Sequence, residues 1–127
     1  MTHLISAPVN LVLGGGGGRA PAHIGAWRAL QERGIGAQRI VGCSAGALIG
    51  ACIAAGMSWQ ELVDKARRLT TRPVFVVDRR VLLRGVRNAG LLGEQPLRDL
   101  IRALVPVTRF DELVVPLSMN AVDLSTG

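Results

Sequence analysis

Five consecutive glycines, Gly14 to Gly18, stand directly after a short apolar run, Val9 to Leu13, and just ahead of Pro21. Glycine loses more conformational freedom on folding than any other residue, so a run of five is costly unless the backbone itself has a task there. Without Cβ atoms the chain can take positive φ and turn several N–H groups toward one point. Pro21 suits the first turn of a helix, and a helix start adds partial positive charge. The stretch therefore predicts a buried strand, an amide cradle for an anion and a helix, in that order. Arg19 follows the glycines and adds a cation.

The rest of the chain repeats this rhythm. Ile24, Trp27, Ala29 and Leu30 fall at helical spacing, and Gly34 suits a left-handed cap. Ile40-Val41 predicts a second short strand, ending at Gly42. Ala45 to Ala55 predicts a helix of small residues, which packs closely against a sheet. Ser58-Trp59-Gln60-Glu61 has the form of a capping box, so another helix runs to about Leu69. Arg72 to Asn88 is ambiguous, with Val74 to Val77 readable as a strand or an irregular segment. Glu94 to Leu104 predicts a helix stopped by Pro106, and Val114 to Leu124 predicts a third strand with Pro116 near its start. Strands alternating with helices imply an α/β fold with a parallel sheet, whose ligands lie where strand ends lead into helices.

Composition narrows the function. The 127 residues suffice for one domain, and a 49% hydrophobic content supports a packed core. Aromatic residues make up only 3%, with no Tyr, which leaves little for stacking bases, so no nucleic-acid partner is expected. Net charge is +6, from 15 Lys and Arg against 9 Asp and Glu, and suits solvated helix faces or contact with an anionic membrane. Met1 to Pro8 does not read as a signal peptide. Cys43 and Cys52 then read as free thiols in a reducing compartment, so the expectation is a cytoplasmic protein, peripheral to a membrane at most.

Gly42-Cys43-Ser44-Ala45-Gly46 has the form G-x-S-x-G, between a predicted strand and a predicted helix. That is the context of an elbow that presents a nucleophilic serine, with Gly42 and Gly46 placed where the turn leaves no room for side chains. A triad of the α/β-hydrolase kind needs a histidine after the serine, and His3 and His23 both precede Ser44. His23 is expected to pack or hydrogen-bond on the helix after the glycines, so a carboxylate is the expected base. The glycine run lacks the Lys-Ser or Lys-Thr of a phosphate loop. Gly15, Gly17 and Ala20 match G-x-G-x-x-A, but the second strand ends without an acidic residue to hold a ribose.

Taken together, Leu11 to Arg19, Ala22-His23-Ile24-Gly25, Ile40 to Ala47, and Val122-Asp123-Leu124-Ser125-Thr126-Gly127 resemble, in order, the motifs of the patatin-like phospholipase family. The resemblance implies a three-layer α/β/α fold and metal-free, cofactor-free hydrolysis of lipid acyl esters by a Ser-Asp dyad. It implies Ser44 as nucleophile, the loop Gly15, Gly16, Gly17, Gly18 and Arg19 as oxyanion hole, and Gly42, Cys43, Ala45 and Gly46 as the elbow. Two departures stand out. Ala20 and Pro21 replace the usual glycine-led exit of the loop, and no Asp-Gly pair occurs to supply the dyad's base. Residues 1–127 are thus expected to form the N-terminal portion of a patatin-like domain. Asp123 is the substitute base considered, with Asp64 and Asp99 expected on exposed helix faces. The alternative is a remnant or binding module that keeps the fold without the chemistry.

Overall fold

The computed structural model describes residues 7–70, 94–123 and 125–127. Three strands, β1 (Val9–Leu13), β2 (Ala37–Gly42) and β3 (Leu117–Met119), form one parallel sheet in the order β1-β2-β3. Among the described residues they are accompanied by the α-helices α1 (Pro21–Gln31), α2 (Ala45–Ala54), α3 (Trp59–Thr70) and α4 (Glu94–Leu104), with a short 3-10 turn at Phe110–Glu112. A further 3-10 turn, Gly17–Arg19, lies within the glycine run. The expected segment Arg72 to Asn88, Asp78 within it, falls outside the described residues.

Strand pairing sets which side chains are buried. Leu11, Leu13 and Ile40 share the face on which α2 packs, with Leu11 opposite Ile40 and Leu13 opposite Gly42. Leu13, Ile24, Trp27, Ile40, Cys52, Ile53 and Leu62 form the core between the sheet and the helices. Gly50 lets α2 lie close, since a Cβ there would stand 3.0 Å from the Ile40 side chain. Val12 and Val41 pair on the other face and are 78% and 41% exposed. Parallel sheets are ordinarily covered on both faces. Among the described residues the helices lie on one, so the second helical layer of a three-layer fold is not among them.

The third strand is shorter than Val114 to Leu124. Val114 and Val115 donate their amides to the Ala54 carbonyl at the end of α2 instead of joining the sheet. Pairing starts where the Ile40 amide reaches the Pro116 carbonyl, and it stops at Met119 opposite Gly42. Beyond Gly42 the partner strand has turned into the elbow, so β3 has nothing left to pair with on that side.

The other elements match their sequence signals. Ser58 and Glu61 form the expected capping box: the Ser58 amide donates to Glu61 Oε2 at 2.7 Å and the Glu61 amide to Ser58 Oγ at 3.3 Å. The Ser58 amide, and after it the Ser58 hydroxyl donating to the same Oε2 at 2.8 Å, hold the Glu61 carboxyl below its usual range. Trp27 is buried between α1 and α3 and donates its indole N–H to the Met57 carbonyl at 3.2 Å. Arg28 stacks over the Trp59 ring at 4.5 Å, joining the same two helices. No helix among the described residues is long and apolar enough to cross a membrane.

Candidate active site

β1 and β2 lie side by side and parallel, so their C-terminal ends deliver the glycine loop and the elbow to the same edge of the sheet. The two are stitched together there. The Cys43 amide donates to the Leu13 carbonyl at 3.0 Å. Gly46 packs directly on the Leu13 and Gly14 carbonyls, where any Cβ would overlap both oxygens. Gly42 is equally confined, since a Cβ would stand 2.9 Å from the Ala47 nitrogen and 3.0 Å from the Gly46 oxygen. Both flanking glycines of the elbow are therefore required by contact.

Ser44 has φ 52° and ψ −125°, and it is the one non-glycine residue at positive φ among the described residues. A backbone held in that region stores strain of about 1–3 kcal/mol and persists because its surroundings enforce it. Here the enforcing bonds are Gly46 amide to Cys43 carbonyl and Ala47 amide to Ser44 carbonyl, both 2.9 Å. The result is an exposed serine at the N-terminus of α2, where the helix favours negative charge. Its hydroxyl makes no side-chain hydrogen bond among the described residues.

The glycine run divides into parts with different tasks. Gly15 lies against the serine: a Cβ on it would be 3.3 Å from Ser44 Cβ and 4.0 Å from Ser44 Oγ. Gly17 is the left-handed turn residue, with φ 52°. The Arg19 amide donates to Gly16 and the Ala20 amide to Gly17, each at 3.0 Å, closing the 3-10 turn that leads into α1. Arg19, expected among the oxyanion donors, thus has its amide committed inside the loop. Among the described residues the amides of Gly15 to Gly18 enter no such turn bond. Pro21 sits at the start of α1, as its fixed φ favours. Ala20 takes helical φ and ψ, so the unusual loop exit is a direct entry into the helix.

One histidine and two cysteines lie in or near this region. His23, half-buried in the first turn of α1, has Nε2 2.9 Å from the Gly14 carbonyl. Cys43 is exposed beside Ser44, whereas Cys52 is fully buried and burial pushes its thiol up to about 11.

Asp123 is exposed and its carboxylate is occupied locally. Oδ1 accepts the Ser125 hydroxyl at 2.6 Å and the Ser125 amide at 2.8 Å, which holds the carboxyl below its usual range. No hydrogen bond joins it to Ser44 among the described residues. Asp64 and Asp99 are exposed on α3 and α4, as expected. Among the described residues no three His, Cys, Asp or Glu side chains gather as a metal-binding group.

A strained serine at a strand-to-helix turn, packed against a glycine loop in a parallel α/β sheet, has the geometry of a G-x-S-x-G elbow. The chain belongs to the patatin-like phospholipase family, whose model matches residues 11–125. An uncharacterized NTE family protein of Mycobacterium tuberculosis is 37% identical over 122 residues, 96% of this chain and 32% of that protein. Lysophospholipase NTE1 of Mycosarcoma maydis is 41% identical over 69 residues, covering 54% of this chain and 4% of the relative. The neuropathy target esterase sws of Drosophila melanogaster is 46% identical over 59 residues, 46% of this chain and 4% of the relative. The chain thus spans 32% of the length of the mycobacterial relative. No solved structure matches it.

Proposed function

We propose that these residues carry the nucleophile and the oxyanion cradle of a serine acyl hydrolase acting on lipid acyl esters. The observation that carries the reading is Gly15 lying against the strained Ser44. The names of two relatives, a lysophospholipase and an esterase, support the substrate class. Ser44 Oγ attacks the ester carbonyl carbon while a carboxylate takes its proton. The carbonyl oxygen becomes an oxyanion and is held by the amides of Gly15 to Gly18, the largest stabilising contribution in reactions of this kind. The C–O bond breaks, the alcohol leaves with the proton, and water then hydrolyses the acyl-Ser44. Arg19 adds positive charge beside the loop, and the net charge of +6 suits an anionic lipid surface.

The base is proposed to be the aspartate of an Asp-Gly motif outside these 127 residues, making them the N-terminal portion of the domain. General-base assistance is worth about 10²–10⁴ in rate. The 127-residue chain should therefore hydrolyse p-nitrophenyl esters feebly or not at all, and a chain carrying the Asp-Gly carboxylate should recover by that factor. If the 127 residues match a full-length relative in turnover and Asp123→Asn abolishes it, Asp123 is the base and this part of the proposal is wrong. If the chain with the Asp-Gly carboxylate stays inactive, the remnant or binding-module reading takes its place.

A further inference from the structure

We propose that His23 is a positioning residue for the oxyanion cradle, aiming the Gly15 amide at Ser44 through its bond to the Gly14 carbonyl. The proposal rests on the acyl-hydrolase reading of Ser44. His23 is the third residue of α1, and helical side chains lean toward the helix N-terminus, which here means back over the glycine loop. That lean brings Nε2 to 2.9 Å from the Gly14 oxygen. A carbonyl oxygen only accepts, so Nε2 carries the proton of this bond.

The Gly14 C=O and the Gly15 N–H are two ends of one planar peptide unit, and in a trans peptide they point in opposite directions. Every peptide bond among the described residues is trans. Whatever holds the carbonyl therefore aims the amide. Gly15 is the loop glycine that lies against Ser44, so the amide being aimed belongs to the residue nearest the nucleophile. Glycine on both sides of this peptide leaves little intrinsic resistance to rotation, because both residues tolerate most φ and ψ. On its other side the Gly14 carbonyl abuts Gly46 of the elbow. The His23 bond thus couples three elements, the start of α1, the end of β1 and the start of α2, at the point where the cradle meets the serine.

This role differs from that of a general base. The nitrogen within reach of the loop is a donor to Gly14, and the ring keeps the Nε2 proton whether neutral or charged. A base would instead present an unprotonated nitrogen to the Ser44 hydroxyl.

Two measurements test the proposal. The first is the rate constant for labelling of Ser44 by a fluorophosphonate, whose phosphonyl oxygen occupies the position of the oxyanion. His23→Phe keeps a ring without a donor, and His23→Gln keeps an N–H donor at similar reach. Losing one oxyanion donor costs about 10²–10³ in rate, so loosening it should slow labelling about tenfold or more in His23→Phe, with His23→Gln within about threefold of the parent. The phosphorus resonance of the adduct should shift in His23→Phe and stay in place in His23→Gln. Labelling of His23→Phe at the parental rate would overturn the proposal, as would a Gln variant as slow as the Phe variant, which would assign the effect to ring packing. The second measurement needs no variant: the ¹⁵N shifts of the neutral His23 ring should report the Nε2–H tautomer, and an Nδ1–H tautomer would overturn the proposal. Labelling that persists in Ser44→Ala, or is absent from the parent chain, fails the nucleophile reading itself and the positioning role with it.

Discussion

Replacing Gly46 with alanine places a methyl group where the structure has none to spare. The new Cβ would overlap the carbonyl oxygens of Leu13 and Gly14 and sit 2.6 Å from the Leu13 carbonyl carbon. Comfortable carbon contacts lie at about 3.5–4.0 Å, so the overlap approaches 1 Å and is against backbone, not a side chain able to swing away. Relief requires moving β1 from α2. The same two carbonyls accept the Cys43 amide and the His23 ring, so the movement also weakens two hydrogen bonds. Overpacking costs about 1–3 kcal/mol and each bond about 1 kcal/mol, which gives about 3–5 kcal/mol. A single domain has only about 5–15 kcal/mol in total. With a urea slope of about 1–3 kcal/mol per molar, the unfolding midpoint should fall by at least about 1 M. Gly25→Ala is the control. Gly25 lies within α1 with no heavy atom within 4 Å of the added Cβ, so the same substitution should stabilise there. The expected gain is about 0.5–1 kcal/mol from helix propensity. A Gly46→Ala midpoint equal to that of the parent, or below it by no more than the Gly25→Ala gain lies above it, would refute the packing argument.

Three further outcomes follow from the strained serine and the two thiols. Ser44→Gly removes the Cβ that makes φ 52° unfavourable and Ser44→Ala does not, so the glycine variant should be the more stable by about 1 kcal/mol in urea unfolding, both being inert to acylation. Cys43 should react with a disulfide reagent in the folded chain and Cys52 only after unfolding. Because burial raises the Cys52 thiol from 9.0 to about 11, its contribution is whole below pH 9 and is lost as pH climbs toward 11. At about 1.4 kcal/mol per unit the loss is about 2–3 kcal/mol, and Cys52→Ala should show a flatter alkaline limb; equal limbs would contradict this.

Much of this site could be read from residue types because the constraint is local. Gly42, Ser44 and Gly46 are fixed by a turn whose sterics do not depend on distant partners, and contact confirms both glycines as obligatory. The capping box at Ser58 and Glu61 was legible for the same reason. The glycine run was not divisible in advance. Five identical residues offer no pattern to separate Gly15, which meets Ser44, from Gly17, which turns the chain, or to reveal that the Arg19 amide closes that turn. The length of β3 escaped because it depends on where its neighbour ends: Val114 to Leu124 is apolar enough for a longer strand, but β2 departs at Gly42. Helical spacing puts His23 on α1, yet its partner nine residues earlier is brought close only by the fold of the loop. Asp123 illustrates a further limit, since its two bonds to Ser125 belong to a local turn that the strand pattern around it concealed.

The reading of Ser44 as a nucleophile served by the glycine loop can be checked on the protein itself. The decisive experiment is reaction of the chain with a fluorophosphonate, followed by intact mass and peptide mapping. A slowly formed adduct on Ser44 is expected, absent from Ser44→Ala and slower still in Gly15→Ala, whose added methyl would press on the Ser44 side chain at 3.3 Å. An adduct on another residue, or one that survives Ser44→Ala, would contradict it.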